Sequence, residues 1–338
     1  MPPGINRPLR RGDIVEVRPA AEILATLDEN GVYDDMPFMP EMLEYAGRRF
    51  TVSRRVEKIC DTIAATGSRR MHDTVYLEDL RCDGSGHGGC QAGCRIYWKE
   101  AWLRRVDSAS DVGDGRDNGK LELEHLALKG TRVVREIEGD REEVWRCQAT
   151  EALNATEPLK LRDVRQYWRE LRSGNLGLLH FLRVAIRGFV FEVAVRLHLV
   201  EGATPLKGHG THARPEPLHL QPGDLVQVRE PKEIAATLDA NGLLRGLSFD
   251  QEMLPYCGGT YRVQDRVERL IDDRTGRMIE ISTDCLILRG VVCSGERSHG
   301  RWFCPREVYP YWREAWLRRV EESPETVESE PQLPPIQH

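Results

Sequence analysis

The segment Gly12-Asp-Ile-Val-Glu-Val-Arg18 recurs further along the chain, at an offset of 211, as Gly223-Asp-Leu-Val-Gln-Val-Arg229. Over residues 12–57 the chain matches this second copy at 23 of 46 positions. Towards the end of each copy, Glu100-Ala-Trp-Leu-Arg-Arg-Val106 recurs at an offset of 214 as Glu314-Ala-Trp-Leu-Arg-Arg-Val320. Identity of this extent at a nearly constant offset indicates a duplicated domain, because a solenoid needs three or more adjacent units.

The duplication divides the 338-residue chain into four predicted parts. They are repeat one (1–107), a central segment with a linker, a hairpin and helices (108–219), repeat two (220–322) and an acidic tail (323–338). The stretch from Glu321 to His338 holds five Glu and no Lys or Arg, so it contributes most of the formal net charge of −6. Prolines and a scarcity of large apolar residues predict that the tail is disordered, and the remaining body is nearly neutral.

Each repeat has the pattern of short strands around one early helix. Apolar and polar residues alternate in Asp13–Val17, Phe50–Val56 and Val75–Leu80, whereas Pro19–Leu27 has the spacing of a helix. The order of a Gly-Asp-x-Val-x-Val opening, an aromatic-x-Val strand and a closing Trp-Leu-Arg-Arg-Val resembles an SH3-like barrel. This resemblance implies a fold for about 60 residues of each repeat but no activity, since such barrels carry many functions.

The predicted fold class is α+β and β-rich. Two duplicated SH3-like small barrels with Cys-rich loops are joined by a central β/α segment that contains a long apolar helix. That helix covers residues 176–199, in which Arg183, Arg187 and Arg196 interrupt an apolar run. We expect it to pack across both repeats and bury its apolar face, because two small barrels need a common core. The alternative is an interfacial or partner-binding amphipathic helix.

The nine cysteines are the residues most suggestive of chemistry. No apolar signal segment occurs near residue 1, so a cytoplasmic location with reduced thiols or metal-bound thiolates is expected rather than disulfides. Cys82 corresponds to Cys293 at the 211 offset, and Cys90 corresponds to Cys304 at the 214 offset. The predicted metal ligands are Cys60, Cys82, His87, Cys90 and Cys94 in repeat one, and Cys257, Cys285, Cys293, His299 and Cys304 in repeat two.

The segment from Cys82 to Cys94 is the densest group, because it holds three thiols together with His87. Its glycines permit tight turns, so that ligands close in sequence can converge. Zinc would take four such groups and order a loop that has few apolar residues. An iron–sulfur cluster is the alternative cofactor because it also uses Cys ligands. Buried unligated thiols and redox-active thiols are further interpretations of the same cysteines.

The sequence contains no phosphate-binding glycine loop, zinc-protease motif, nucleophile elbow or kinase signature. Glu100 or Glu314 beside a metal could act as a general base, but structural roles in turns and at helix starts are expected for most of the repeated acidic residues, including Asp13, Asp28 and Glu41. The pattern favours a non-catalytic, zinc-binding protein that acts as a binding or scaffold module. The alternative is a metalloenzyme or iron–sulfur redox protein accessory to a biosynthetic pathway, with an open metal site in one repeat.

Charge and hydropathy argue against two classes of partner, although arginine pairs on the barrel faces leave a nucleic-acid binder as a third hypothesis. A nearly neutral body gives no bulk attraction to nucleic acid, so a nucleic-acid partner is not expected. No uncharged apolar run is long enough to cross a bilayer as a helix, so no membrane span is expected either. The sequence does not identify a protein partner, a small-molecule ligand or an oligomeric state.

Overall fold

The structure is a computed structural model that describes residues 7–63, 67–106, 119–160, 163–197, 206, 208, 216–297 and 301–321. The predicted tail (323–338), His299 and most of both predicted linkers lie outside the described residues.

The first copy of the duplicated sequence consists of short strands with one α-helix and two 3-10 helices in its described part. The strands are β1 (Ile14–Val17), β2 (Val32–Tyr33), β3 (Met36–Pro37), β4 (Arg49–Arg55), β5 (Lys58–Cys60), β6 (Ser68–Met71), β7 (Thr74–Leu77), β8 (Trp98–Lys99) and β9 (Leu103–Arg105). Helix α1 covers Ala20–Leu24, and the 3-10 helices cover Pro40–Tyr45 and Glu100–Trp102. Gly31, with a φ of +74°, reverses the chain after α1 at a position that favours glycine.

The central segment contains helices and one hairpin. Its elements are α2 (Lys120–Gly130), β10 (Arg132–Ile137), β11 (Asp140–Trp145), α3 (Gln148–Glu151), β12 (Thr156–Leu159), α4 (Arg165–Arg172) and α5 (Leu178–Arg196). Glu138 and Gly139 both have positive φ, which is the backbone that a tight two-residue turn between β10 and β11 requires.

The second copy repeats the order of the first. Its elements are β13 (Leu225–Val228), α6 (Pro231–Ala235), β14 (Leu243–Leu244), β15 (Leu247–Ser248), a 3-10 helix (Gln251–Tyr256), β16 (Thr260–Arg266), β17 (Arg269–Ile271), β18 (Met278–Glu280), β19 (Leu286–Leu288), a 3-10 helix (Glu314–Trp316) and β20 (Leu317–Arg319). Strand β13 is β1 displaced by the first offset of the duplication, and β20 is β9 displaced by the second.

The chain forms two compact units, each discontinuous in sequence. Unit 1 contains Met1–Leu178, Arg269–Ile279 and Cys304–Arg306. Unit 2 contains Leu179–Glu268, Glu280–Phe303 and Glu307–His338. Two short segments of the second copy therefore belong to the unit that is built on the first.

The prediction of SH3-like barrels was wrong, because the described strands form small open sheets. The main sheet of unit 1 has the order β8-β7-β4-β1-β9, and the main sheet of unit 2 has the order β19-β16-β13-β20. Strand β8 spans only Trp98–Lys99 and leads directly into a 3-10 helix, so it has little length with which to pair. Within the described residues β8 and β9 remain opposite edges of one sheet, and the fold is α+β and β-rich without a closed barrel.

Equivalent aromatic clusters form the cores of the two units. In unit 1 the ring of Phe38 meets Trp102 edge-on at 5.4 Å, and in unit 2 Phe249 meets Trp316 at the same distance and angle. The Trp102 indole donates to the hydroxyl of Thr26, which satisfies its one polar group inside the core. These contacts fix the 3-10 helix that closes each copy.

The prediction of a long apolar helix that buries its apolar face across both repeats was also wrong. Residues 178–196 are helical, but most large apolar side chains of α5 face solvent, and Val184 is the one fully buried among those described. The helix therefore does not supply a common core. No helix among the described residues has the length and hydropathy needed to cross a membrane.

Candidate metal centre

Three side chains of unit 1 bring metal-ligating atoms together. Glu41 lies in the first turn of the 3-10 helix Pro40–Tyr45, whereas Cys82 and His87 lie in the loop that runs from Cys82 to Cys94. The backbone N–H of Cys82 donates to the carbonyl oxygen of Cys94 at 2.8 Å and closes the base of this loop.

Glycines allow the loop to fold back on the 3-10 helix. The carbonyl oxygen of Gly84 accepts hydrogen bonds from the backbone N–H groups of His87, at 3.1 Å, and Gly89, at 2.9 Å. A Cβ atom at Gly86 would lie 2.7 Å from Oε2 of Glu41 and 2.8 Å from the ring of Pro40. The absence of a side chain at this one position therefore lets the loop approach the Glu41 carboxylate.

The donor atoms have the separations of a small coordination sphere. One atom from each of Glu41, Cys82 and His87 lies within 4.8 Å of the other two. Sγ of Cys82 is 3.5 Å from Nε2 of His87. Nδ1, on the other side of the same ring, is 3.7 Å from Oε1 of Glu41, and this contact does not belong to the same set of ligand atoms because one ion binds one imidazole nitrogen. Tetrahedral zinc with bonds of about 2.1 Å to nitrogen and about 2.3 Å to sulfur places the nitrogen and sulfur ligand atoms roughly 3.6 Å apart.

The carboxylate of Glu41 is buried without a hydrogen-bond donor. Its side chain is 4% exposed, and neither oxygen has a hydrogen-bond partner among the described residues. Nδ1 of His87, whose side chain is 2% exposed, likewise has none. Buried polar atoms are normally paired, and a buried carboxylate normally meets a donor or a cation. The three side chains contact one another, and their donor atoms also lie close enough together to hold one cation.

Electrostatics at the site are unfavourable without a cation. Burial, followed by the Glu41 carboxylate, raises the pKa of the Cys82 thiol far above its ordinary value. Burial also lowers the pKa of His87, although Glu41 opposes this, so the imidazole is held neutral with a lone pair available. A divalent ion would stabilise the thiolate and offset the carboxylate charge together.

The same line of atoms, from thiol to imidazole to carboxylate, is also the order of a nucleophile, its base and an orienting acid. A catalytic cysteine needs a lowered thiol pKa in an electropositive setting. Cys82 has a raised pKa and an acidic neighbour. The arrangement is therefore better suited to holding a cation than to attacking a substrate.

Cys94 is the thiol whose charge acts on Cys82, so it is the candidate for a fourth ligand. The N–H of Cys82 donates to the carbonyl oxygen of Cys94 next to the bridge between Arg81 and Arg95, although the Cys94 sulfur is not among the three groups that converge. Burial raises the pKa of Cys94 to about 12. In unit 2 the N–H of Cys293 makes the same 2.8 Å bond to the carbonyl of Val308, so an apolar residue stands where unit 1 has Cys94.

The acidic counterpart in unit 2 has a different role. Glu252 accepts hydrogen bonds from the N–H of Ser294 at 3.2 Å, from its hydroxyl at 2.6 Å, and from the N–H of Arg297 at 2.6 Å. Its carboxylate is therefore engaged in ordering the loop that follows Cys293, and no second convergent group of three ligands forms among the described residues.

The other predicted ligands lie apart from this group. Sγ of Cys304 accepts from the N–H of Cys60 at 3.1 Å, and Sγ of Cys90 accepts from the N–H of Ile271 at 3.4 Å. Cys257 and Cys285 each have a pKa raised to about 11, chiefly by burial. An iron–sulfur cluster ordinarily needs four cysteine ligands. Among the described residues not even three cysteines converge.

Sequence reasoning placed Glu41 at the start of a helical turn, where it lies, but did not name it as a candidate ligand. The signal that could have identified it was its recurrence as Glu252 at the same offset as Cys82 and Cys293. A pair of ligand-type residues kept in both copies makes them candidates to be tested together, although a shared offset does not by itself show that they are neighbours in space. Spacing alone could not show this, because Glu41 and Cys82 are far apart in the chain.

No protein-family model matches the chain, and no similar protein was found among curated proteins or solved structures.

Proposed function

We propose that unit 1 binds one divalent metal ion, zinc by its donor set, through Glu41, Cys82 and His87. The observation that carries the proposal is the buried Glu41 carboxylate, which faces His87 and has no hydrogen-bond donor among the described residues. Thiolate, imidazole and carboxylate are the three ligand types that zinc accepts together, whereas magnesium and calcium prefer oxygen alone.

The bound ion would have a structural effect on the Cys-rich loop. It would join the loop to the 3-10 helix Pro40–Tyr45, where the loop itself contributes few large apolar side chains. Its burial supports this role, since the side chains of Glu41 and His87 are almost fully enclosed. The protein would then act as a metal-stabilised binding or scaffold module that holds one zinc per chain.

The number of ligands supports a second candidate. Structural zinc sites usually have four protein ligands, whereas catalytic sites have three and an open position. If Cys94 does not coordinate, the three-ligand site keeps one position for water or a substrate, as in a metalloenzyme. The test of Cys94→Ser separates the two candidates: loss of zinc affinity indicates a closed structural site, and retained affinity indicates an open one.

The experiment is a zinc titration of chelator-treated protein, with stoichiometry read by competition against a chromophoric chelator. We expect one zinc per chain, and a loss of affinity of at least about tenfold in Glu41→Gln, Cys82→Ser and His87→Ala, since even outer-sphere changes at zinc sites cost tenfold or more. Cobalt substitution should give the absorption of a tetrahedral thiolate-bound ion.

Matched controls come from the second copy. Glu252→Gln and Cys293→Ser alter the equivalent positions of unit 2 and should leave the stoichiometry at one. Binding of two ions, or equal affinities in Glu41→Gln and Glu252→Gln, would overturn the assignment of the site to unit 1.

A further inference from the structure

An apolar stripe runs along the exposed side of α5 in unit 2. It consists of six large side chains of the helix and of Leu197, which follows its last residue, each between 37% and 85% exposed: Leu179, Leu182, Ile186, Phe189, Val190, Val193 and Leu197. At 100° per residue these positions fall within an arc of about 100°. The stripe extends over most of the length of a helix that is about 28 Å long.

The opposite side of α5 fixes the direction in which the stripe points. Phe181 stacks on Phe303 with ring centres 5.1 Å apart, and Nε2 of His180 lies 3.0 Å from Oε1 of Glu296. A Cβ at Gly188 would lie 2.9 Å from the indole of Trp302, so the helix sits close against that ring. The helix is therefore anchored through one face, and the stripe is the other.

Positive charge borders the stripe. Arg183 and Arg196 project next to its two edges on the helical wheel, and both are exposed, as is Arg187. Burial lowers the pKa of Arg297, and the charges of Arg187 and Arg183 lower it further although nearby carboxylates oppose them. Glu252 and Glu296 are the carboxylates beside Arg297, whereas Arg183 and Arg196 give the stripe basic edges that complement an anionic surface.

We propose that the apolar stripe of α5 docks in the plane of an anionic phospholipid surface, with the flanking arginines at the level of the headgroup phosphates. A helix with one apolar side and basic edges binds in this way, with long basic side chains reaching from the apolar layer to the phosphates. This docking is peripheral and is independent of the metal site.

Other occupants fit the same chemistry less well. A second copy related by a two-fold axis would bring the same arginines of both copies together, and their positive charges would repel each other. The acidic C-terminal residues 321–338 carry complementary charge but only three large apolar residues, Val327, Leu333 and Ile336, against seven in the stripe.

The test is cosedimentation of the full chain with vesicles of pure phosphatidylcholine and with vesicles in which about one-third is phosphatidylserine. We expect binding to the second kind only, weakened by added salt. Phe189→Ser and Leu179→Ser should each lower the partition coefficient about tenfold, the value of one buried large side chain. Arg183→Gln with Arg187→Gln should lower it by about tenfold or more.

The control is Trp168→Ser, an exposed aromatic residue of α4 outside the stripe, which should bind vesicles like the unaltered protein. Absence of binding to both kinds of vesicle, or binding that Phe189→Ser and Leu179→Ser leave unchanged, would overturn the proposal. A concentration-dependent dimer that disappears in Phe189→Ser, without lipid binding, would assign the stripe to a second copy and also overturn it.

Discussion

Glu41 and Glu252 occupy equivalent positions of a duplicated sequence, yet only the carboxylate of Glu252 accepts hydrogen bonds from the loop beside it among the described residues. Both follow the start of a 3-10 helix with matching bounds at the 211 offset. The two copies have thus kept the acidic residue and changed its neighbours. In unit 2 Ser294 and Arg297 donate to the carboxylate, whereas at the 211 offset unit 1 has Asp83 and Gly86 in their places.

This difference predicts opposite effects of one substitution in the two units. Without metal, Glu41→Gln should leave the free energy of unfolding unchanged or raise it, since it removes a buried charge that has no donor. Glu252→Gln should lower it by about 1–3 kcal/mol, because an amide nitrogen would face N–H donors. Urea unfolding in the presence of a chelator measures both.

Added zinc should change the effect of Glu41→Gln on the free energy of unfolding, but not the effect of Glu252→Gln. A ligand that binds only the folded state raises the free energy of unfolding in proportion to the logarithm of its concentration. The gain with zinc should therefore be smaller in Glu41→Gln than in Glu252→Gln. A Glu41→Gln protein that is strongly destabilised without metal would contradict the view that its carboxylate lacks a partner.

Gly86→Ala should weaken zinc binding by a purely steric route. The new Cβ would lie within 2.8 Å of both the Glu41 carboxylate and the Pro40 ring, so the loop must move away from the 3-10 helix. We expect a loss of about 1–3 kcal/mol in stability and a lower zinc affinity. Ser85→Ala, in the same loop but exposed, is the control in the zinc titration. Unchanged affinity in Gly86→Ala would show that the loop does not need this close approach.

The duplication and its offsets can be recognised in the sequence because each copy keeps the residues that form hydrogen bonds within its turns. Asp28 accepts from the N–H groups of Asn30 and Val32, and Asp239 accepts from those of Asn241 and Leu243 in the same way. Such local side-chain to backbone contacts depend on neighbours in the chain, so a pattern predicts them well.

Sheet closure and ligand choice depend instead on distant residues. The apolar run at 176–199 has the composition of a core helix, but composition cannot tell which side finds a partner. Cys90 and Cys304 match by offset, yet both belong to unit 1, where each sulfur accepts from a different backbone N–H. Two cysteines that correspond in the two copies of the sequence therefore lie in the same unit of the structure.

Glu314 should stabilise unit 2 mainly above the pH range in which glutamate titrates. Burial would raise its pKa, but Arg266 and the backbone N–H groups of residues 218–220 outweigh burial and hold the pKa below the ordinary value. The stabilisation is therefore present above about pH 4.3 and is lost as pH falls through the lowered pKa. Glu314→Gln should cost about 1–3 kcal/mol at neutral pH.

The control for this prediction is Glu233→Gln, since Glu233 pairs with arginines at the surface and should cost little. The difference between Glu314→Gln and the unaltered protein should shrink in acid when followed by urea unfolding. A difference that is constant down to pH 3 would mean that the folded state does not favour ionised Glu314.

Lys58 should oppose folding of unit 1 most strongly below pH 8. It is 2% exposed, its Nζ donates to Oε1 of Gln166 at 3.0 Å, and burial lowers its pKa to about 8 despite the charge of Glu170. An unfolded lysine titrates near pH 10.4, so between about pH 8 and 10.4 the unfolded chain binds more protons. The free energy of unfolding that depends on Lys58 must then rise with pH, by at most about 3 kcal/mol.

The measurement compares Glu170→Gln with the double variant Glu170→Gln/Lys58→Met, because removing the lysine alone would leave a buried carboxylate without its cation. Titration of the cysteines and tyrosines is common to both proteins and cancels in the difference. The double variant should hold its greatest advantage in stability near pH 7, and the advantage should diminish as pH approaches 10. A difference independent of pH would show that water reaches the Lys58 ammonium group and that its burial carries no electrostatic cost.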